Sequence, residues 1–150
     1  MALTIQRLRD NQIDAAKVVI TEVCLEFFGH PPEAFDDMDQ VTSQYREPHG
    51  IFLVLMDSER VVGTGAIRDL GGQTCELKRM WFLPANRGKG YGAKMVEALF
   101  EFARGAGYQR VRLDSDPRLT AARRLYERLG FRPIERYNDG PGVVFMEREL

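Results

Sequence analysis

The sequence predicts an α/β or α+β domain with a mixed, mostly antiparallel sheet and flanking helices. Two features of the sequence pattern support this fold class. Strand patterns in the first half of the chain follow one another with short turns between them, which favours antiparallel hairpins. Strand and helix patterns alternate in the second half, which favours parallel crossover connections. Because 150 residues suit one hydrophobic core, we expect residues 1–150 to form a single domain.

The first half begins with an alternating strand pattern at residues 3–8 and a helix whose apolar stripe extends to Phe27. Gly29 and the two prolines after it end this helix. Residues 33–46 then have a short helical pattern. Three strands are predicted at residues 51–56, 61–69 and 74–83, with turns at Asp57-Ser58-Glu59-Arg60 and Gly71-Gly72.

The second half alternates between helices and strands. A helix is predicted over residues 93–103, with its end near Gly105 or Gly107, and a strand follows at residues 111–113. Another helix is predicted at about residues 120–129. Two last strands are expected at residues 131–137 and 143–148, separated by Asp139-Gly140-Pro141-Gly142.

Composition argues against several classes of protein. The formal net charge of −1 disfavours a nucleic-acid coating protein, which usually has a basic surplus. Cys24 and Cys75 have no C-x-x-C spacing or neighbouring histidine, so we expect reduced thiols and no metal site. The N-terminus lacks a basic leader with an apolar block, and no apolar run reaches the length of about 18 residues typical of a membrane span. These features predict a cytoplasmic protein without a membrane partner.

The most informative segment is the run Arg87-Gly88-Lys89-Gly90-Tyr91-Gly92, called the glycine loop below, between a predicted strand and a predicted helix. Glycine permits left-handed backbone, and the start of a helix presents unpaired N–H groups, so this arrangement suits a phosphate. The spacing differs from a mononucleotide P-loop, because Gly90 and not Ser or Thr follows Lys89. It also differs from the Rossmann spacing G-x-G-x-x-G.

With Arg87, Gly90 and Gly92 in the pattern R-x-x-G-x-G, the glycine loop resembles the pyrophosphate loop of the GNAT superfamily of N-acetyltransferases. The resemblance covers about residues 61–146. It includes the central-strand segment at residues 76–84 and a segment at residues 121–131 close to A-x-x-L-Y-x-x-L-G-F. It implies the GNAT fold, in which splayed central strands leave a V-shaped gap for the pantetheine arm, and acetyl-CoA as co-substrate.

The resemblance also implies a cofactor site. Backbone N–H groups of the glycine loop would bind the pyrophosphate, and the charges of Arg87 and Lys89 would assist. An unpaired strand edge would bind the pantetheine amides, as an added strand does. The cofactor-binding candidates are therefore Met80, Phe82, Arg87, Gly88, Lys89, Gly90, Tyr91 and Gly92.

Two residues are implied as catalysts. Tyr126 would protonate the leaving thiolate, although it also fits an ordinary aromatic packed beside Leu125 and Leu129. Glu76 would accept the amine proton, directly or through water, and it equally fits a strand charge paired with Lys78 or Arg79. Asp114 and Ser115 are second candidates for ordering a water.

Strand alternation predicts which side chains accompany Glu76. If no bulge intervenes, residues Glu76, Lys78, Met80 and Phe82 lie on one face, and Leu77, Arg79, Trp81 and Leu83 on the other. One position departs from the family pattern, because Leu119 stands where many members have an asparagine seven residues before the tyrosine. One contact to the pantetheine arm is therefore in doubt. Candidate replacements are Asp116, Arg118 and Thr120, and Arg118, Arg123 and Arg124 are candidates for the 3′-phosphate.

The acceptor site would be lined by Phe28, Arg79, Trp81 and Tyr137. Arg79 would bind an acceptor carboxylate or pair with Glu76. The segment Tyr137-Asn138-Asp139-Gly140-Pro141 resembles the Y-N-D-x-P turn of small-molecule acetyltransferases in the family, which favours a small amine such as an amino acid. A non-catalytic acyl-CoA-binding module and a protein N-acetyltransferase remain alternatives, and a homodimer remains open.

Overall fold

The computed structural model describes residues 3–32, 34–39 and 44–150. Within them the chain forms a seven-stranded sheet in the order β1-β2-β3-β4-β5-β7-β6. The strands are β1 (Thr4–Arg7), β2 (Ile51–Asp57), β3 (Arg60–Gly71), β4 (Thr74–Phe82), β5 (Arg110–Ser115), β6 (Arg132–Pro133) and β7 (Val144–Glu149). The α-helices are α1 (Ile13–Phe28), α2 (Asp36–Asp39), α3 (Tyr91–Gly105) and α4 (Thr120–Arg128), with 3₁₀ turns at Asp10–Gln12 and Pro84–Asn86.

The sheet is mixed and mostly antiparallel, which confirms the predicted fold class. Strands β1 to β4 form an antiparallel meander. Strands β4 and β5 are parallel and are joined through α3, and β5 pairs antiparallel with β7, which also pairs with β6. The glycine loop therefore follows the carboxyl end of β4 and begins the crossover through α3 to the parallel strand β5.

The helices begin and end where their sequences allow it. Gly29 has a left-handed φ of 77°, and its N–H bonds to the Leu25 carbonyl at 3.0 Å, which closes α1 as predicted. Helix α1 buries a stripe that includes Ala16, Ile20 and Val23, and α3 buries Met95, Val96, Leu99, Phe100 and Ala103. Of the predicted helical segment at residues 33–46, α2 is described, whereas residues 33 and 40–43 lie outside the described residues.

Strand β4 contains a bulge at Arg79. Thr64 of β3 pairs with Trp81, and Ala66 pairs with Lys78, so a step of two residues in β3 faces a step of three in β4. Arg79 has a left-handed φ of 56°. Its carbonyl accepts a hydrogen bond of 2.6 Å from the Thr64 hydroxyl, which holds the bulge.

The bulge reverses the side-chain phase of β4, so the face assignment expected for an unbroken strand is wrong. Glu76, Lys78 and Trp81 pair with alternate residues of β3 and share one face. Trp81 meets Phe28 of α1 on that face. Met80 lies on the opposite face, where its sulfur and Met95 of α3 both border Gly65. After the bulge, Trp81 therefore faces α1 and Met80 faces α3, the reverse of what simple alternation from Glu76 predicts.

The two parallel strands separate soon after they begin to pair. Register between β4 and β5 covers the pairs Thr74–Arg110, Cys75–Val111 and Glu76–Arg112, and no later pair follows within the described chain. Both strands continue, to Phe82 and to Ser115. A V-shaped gap therefore opens beyond Glu76, as the GNAT resemblance implied, and one edge of β4 is left without a strand partner.

Strand β6 is much shorter than the strand predicted at residues 131–137. It pairs with β7 only at Arg132 and Pro133, and the Ile134 N–H adds one bond to the Phe145 carbonyl. The chain then leaves the sheet as a loop, residues 134–143. The Arg136 guanidinium bonds the carbonyls of Asn138, Gly140 and Gly142, so side-chain bonds replace the missing strand pairing and direct the loop toward the gap.

Candidate active site

The glycine loop presents a row of unpaired backbone donors at the start of α3. Gly88 and Gly90 have left-handed φ angles of 73° and 86°, and Gly90 immediately precedes the helix. From Gly88 to Ala93, consecutive N–H groups have no acceptor within the described part of the chain. Because they lie at the positive end of a helix dipole, they form a site ready for an anion.

Gly92 has no left-handed φ angle, and a close contact between two helices explains why glycine is needed there. It lies inside α3, and an added Cβ would stand 2.9 Å from Leu125 Cδ2 of α4. Gly92 therefore lets α4 pack closely against the first turn of α3. This contact places the helix that contains Tyr126 beside the glycine loop.

Positive side chains surround the row of N–H groups unevenly. Lys89 is exposed at the tip of the loop. The Lys94 ammonium lies 5.3 Å from the centre of the Tyr91 ring, one turn into α3. Both lysines add positive charge near the loop, where an anionic ligand would be stabilised.

The Arg87 side chain points away from this row of donors. Its Nη1 and Nη2 atoms bond the two carboxylate oxygens of Glu26 in α1 at 2.6 and 2.8 Å. Its Nε bonds the Phe82 carbonyl at 2.9 Å, and the guanidinium lies 5.0 Å from the Phe27 ring centre. The sequence suggested Arg87 as a phosphate charge, whereas the structure places its guanidinium on α1.

Met80 and Phe82 belong to the part of β4 that faces the gap with an unpaired backbone edge. Their side chains fill space that two glycines of β3 leave open, since an added Cβ at Gly63 would stand 2.8 Å from Phe82 Cε1. The side chains are thus packed against the sheet and α3. The free backbone edge beside the gap is available to bind an extended ligand.

Glu76 lies at the apex of the gap and is fully enclosed. Its side chain is 1% exposed. Arg68 of β3 donates from Nε to Oε1 at 2.7 Å, and Lys78 is 3.8 Å from the same oxygen. Of the two partners that the sequence offered, Lys78 lies beside Glu76, whereas Arg79 is not among its contacts within the described residues. Arg68 pairs directly with Glu76 across the β3–β4 ladder, a contact that depends on strand register.

The loop of residues 134–143 is fastened at the gap by two side chains. The Tyr137 hydroxyl donates to Oε2 of Glu76 at 2.7 Å, and the pKa of Tyr137 is raised by burial and by this bond. Asn138 donates from Nδ2 to Oδ2 of Asp114 at 2.8 Å, at the end of β5. Tyr137, predicted only as an acceptor-site residue, thus contacts the proposed base.

Tyr126 has a buried ring and a hydroxyl group that keeps some open surface. The ring packs edge-on against Phe131 with centroids 5.6 Å apart. Burial raises the pKa of Tyr126, so the hydroxyl retains its proton at neutral pH. Within the described chain the Tyr126 hydroxyl has no hydrogen-bond partner. Among these residues, Nε1 of Trp81 is the fully enclosed side-chain polar atom that lacks a partner, and the Tyr126 oxygen is not enclosed in this way. The Tyr126 oxygen is therefore not sealed inside the core.

Phe28 and Trp81 come together on the α1 side of the sheet, as proposed for the acceptor site. Their rings meet edge to face with centroids 6.2 Å apart, and His30 stacks on Phe28 at 6.3 Å. The Arg118 guanidinium lies 4.5 Å from the Phe28 ring centre. Arg118, a candidate for the cofactor from the sequence, therefore extends from the end of β5 to the aromatic cluster on α1.

Arg79 forms an ion pair with Asp37 of α2, whereas the sequence left two roles open for it, binding an acceptor carboxylate or pairing with Glu76. Its Nη2 and Nε atoms bond the Asp37 carboxylate at 2.6 and 2.9 Å, and Tyr45 donates to the same group at 2.6 Å. Burial alone would raise the pKa of Asp37, but the bonds from Arg79 and Tyr45 outweigh it and lower the pKa to about 2. The ion pair fixes α2 on the β4 bulge.

Among the described residues, no group of three or more His, Cys, Asp and Glu side chains is arranged to hold a metal ion. No helix within this part of the chain is long and apolar enough to span a membrane.

The sequence matches the family model described as the Acetyltransferase (GNAT) family over residues 18–131. The chain therefore belongs to the GNAT acetyltransferase family and is an acyltransferase. An uncharacterized N-acetyltransferase of Schizosaccharomyces pombe is 34% identical over 119 residues, which cover 77% of this chain and 73% of that protein. An IAA acetyltransferase of Azospirillum brasilense is 32% identical over 148 residues, which cover 95% of each protein.

Solved structures share the whole fold. A GNAT-family acetyltransferase of Staphylococcus aureus Mu50 superposes with a TM-score of 0.90 at 18% identity, covering 99% of both chains. The PaiA N-acetyltransferase of Thermoplasma acidophilum, crystallised in complex with coenzyme A, superposes with a TM-score of 0.79 at 16% identity, covering 100% of both. These likenesses show that the fold is the one found in these acetyltransferases.

Proposed function

We propose that this acetyltransferase transfers an acetyl group from acetyl-CoA to the primary amine of a small molecule. The observation that supports the donor most directly is the row of unpaired N–H groups from Gly88 to Ala93, beside a strand edge left free by the gap. The N–H groups suit a pyrophosphate, and the edge of β4 suits the amide-bearing pantetheine arm. The coenzyme A in the PaiA structure supports the same donor class.

In the proposed reaction the amine nitrogen attacks the thioester carbonyl carbon, and the carbon–sulfur bond breaks. Tyr126 gives its proton to the departing thiolate, because its hydroxyl is protonated at neutral pH and keeps open surface. The attacking amine must lose one proton. Because Glu76 is enclosed, that proton passes through the Tyr137 hydroxyl, which accepts it and delivers its own proton to Oε2 of Glu76.

A small acceptor is favoured by the way both neighbouring loops are fastened. Arg79 and Asp37 fix α2 on one side, and the Tyr137–Glu76 and Asn138–Asp114 bonds fix residues 134–143 on the other. An extended peptide needs an open groove, whereas a small amine fits between fastened loops. The aromatic pair Phe28 and Trp81 provides an apolar wall for it.

The test is thiol release from acetyl-CoA in the presence of a panel of amines, with titration calorimetry of coenzyme A alongside. The panel contains amino acids, polyamines, aromatic amines and peptides with free N-terminal or lysine amines. We expect coenzyme A to bind and a small amine to stimulate thiol release more than any peptide. Coenzyme A binding without amine-stimulated release would contradict catalysis, and stimulation only by peptides would contradict the small-molecule assignment.

A further inference from the structure

Arg87 is the last residue before the row of unpaired N–H groups, and every nitrogen of its guanidinium is bonded within the protein. The Glu26 carboxylate accepts hydrogen bonds from Nη1 and Nη2 in a bidentate pair, at 2.6 and 2.8 Å, and the Phe82 carbonyl accepts one from Nε at 2.9 Å. One side chain thus joins the end of β4, the last turn of α1 and the start of the glycine loop.

Such a bidentate pair fixes direction as well as distance, because the planar guanidinium and the planar carboxylate must align. The Phe27 ring, 5.0 Å from the Arg87 guanidinium carbon, restricts the same group from a third side. The side chains of Glu26 and Arg87 are 39% and 31% exposed, so the pair lies at the edge of the protein and water partly screens its charges.

The presence of Glu26 argues against a direct electrostatic role for Arg87. A carboxylate on the guanidinium cancels its positive charge and brings a negative charge toward a site that suits an anion. An arginine whose only role was to attract a phosphate would attract it more strongly without a carboxylate partner. The contacts suit a side chain that holds backbone in place instead.

We propose that Glu26 is a positioning residue for the cofactor, which acts through Arg87 to keep the glycine loop in the shape that binds pyrophosphate. This inference rests on the proposed binding of acetyl-CoA. Its consequence is that the helix on the acceptor side of the sheet, through Glu26, influences affinity for the donor, while Phe28 of the same turn forms the acceptor-side aromatic pair.

The two roles for Arg87 predict opposite effects of removing the Glu26 charge. If Arg87 binds phosphate as a free charge, Glu26→Gln releases it and coenzyme A binds more tightly. If Glu26 positions the loop, Glu26→Gln loosens the loop and coenzyme A binds roughly 2- to 5-fold more weakly, the range expected for an exposed ion pair. The sign of the change therefore decides between them.

The experiment is titration calorimetry of coenzyme A with the wild type, Glu26→Gln, the charge exchange Glu26→Arg with Arg87→Glu, and the control Glu22→Gln. Glu22 is an exposed carboxylate one turn earlier in α1. We expect weaker binding by Glu26→Gln, partial recovery in the charge exchange and wild-type binding by the control. Steady-state kinetics should show a raised KM for acetyl-CoA with a nearly unchanged kcat.

Melting temperatures identify any variant that fails to fold, and Glu26→Ala, which also removes the charge, replaces Glu26→Gln in that case. Equal or tighter binding of coenzyme A by a folded Glu26 variant would overturn the positioning role. Absence of coenzyme A binding by the wild type would instead refute the proposed function, so the two failures are distinguishable.

Discussion

The Tyr137 hydroxyl donates a hydrogen bond of 2.7 Å to Oε2 of Glu76, between residues 61 positions apart in the chain. This bond closes the apex of the gap between β4 and β5, where Glu76 forms the last pair of the parallel ladder. It makes the loop of residues 134–143 part of the proposed active site, because the proposed proton acceptor is bonded to a residue of that loop.

Tyr137→Phe tests this contact. The phenyl ring retains its packing on Phe145, with centroids 5.4 Å apart in the wild type, so the fold should persist. Loss of a hydrogen bond to a buried carboxylate should cost about 1–2 kcal/mol of unfolding free energy. If Tyr137 passes the amine proton, kcat should fall roughly 10-fold or more while coenzyme A affinity stays unchanged. Urea denaturation, calorimetry and steady-state kinetics measure these quantities, and unaltered kcat would exclude the relay.

Glu76→Gln tests the proposed proton acceptor itself. We expect the rate to fall roughly 10²-fold at neutral pH and less at high pH, where the amine is already deprotonated. Stability should also fall, by about 1–3 kcal/mol, because Arg68 loses the charge of its partner. The pH–rate profile separates the two effects. A profile with unchanged shape would assign Glu76 a purely structural role.

Gly90→Val tests the glycine loop, with Gly72→Val as a matched control. Gly90 and Gly72 have φ angles of 86° and 59°, and an added Cβ at either would meet no atom within 4 Å. Both variants should suffer similar backbone strain. Only Gly90→Val should lose coenzyme A affinity, by roughly 10-fold or more, since Gly72 lies in the β3–β4 turn. Equal affinities in calorimetry would remove the loop from the cofactor site.

Asp37→Asn tests the ion pair that fixes α2 on the β4 bulge. The pKa of Asp37, lowered to about 2 from 3.8, corresponds to about 2 kcal/mol of stability. Because the folded-state pKa is the lower one, this contribution is complete above about pH 4 and is lost as the pH falls through about 2. The difference in unfolding free energy between wild type and variant should therefore shrink across this interval.

Urea denaturation at several pH values measures that difference. Asp57→Asn serves as the control, because Asp57 is an exposed carboxylate at the end of β2. A difference between wild type and Asp37→Asn that stays constant down to about pH 2 would show that the carboxylate charge is not the source of the stabilisation.

The sequence predicts features that depend on local pattern. The left-handed glycines at Gly88 and Gly90, the end of α1 at Gly29 and the strands of the meander all follow from residue type and spacing. The bulge at Arg79 does not, because neither glycine nor asparagine marks it and a Thr64 side-chain bond stabilises it. One inserted residue then reversed the predicted faces of β4.

Contacts between side chains that are far apart in the sequence also could not be predicted from local sequence patterns. Arg87 and Glu26 are 61 positions apart, and Arg79 and Asp37 are 42 apart. Any of the 21 basic residues has many possible acidic partners among 22, so only the fold selects the pair. The shortened β6 has the same origin, because Tyr137 and Asn138 bond at the gap and the strand ends early.

The turnover number of Tyr126→Phe tests the proposed active site most directly. The variant keeps the ring that packs on Phe131 and removes a hydroxyl that has no hydrogen-bond partner among the described residues, so melting temperature and coenzyme A affinity should match the wild type. With an accepted amine, kcat should fall by roughly 10² to 10⁴-fold if Tyr126 protonates the leaving thiolate and chemistry limits the rate. A folded Tyr126→Phe enzyme with wild-type kcat would show that Tyr126 only packs in the core and would contradict the proposed mechanism.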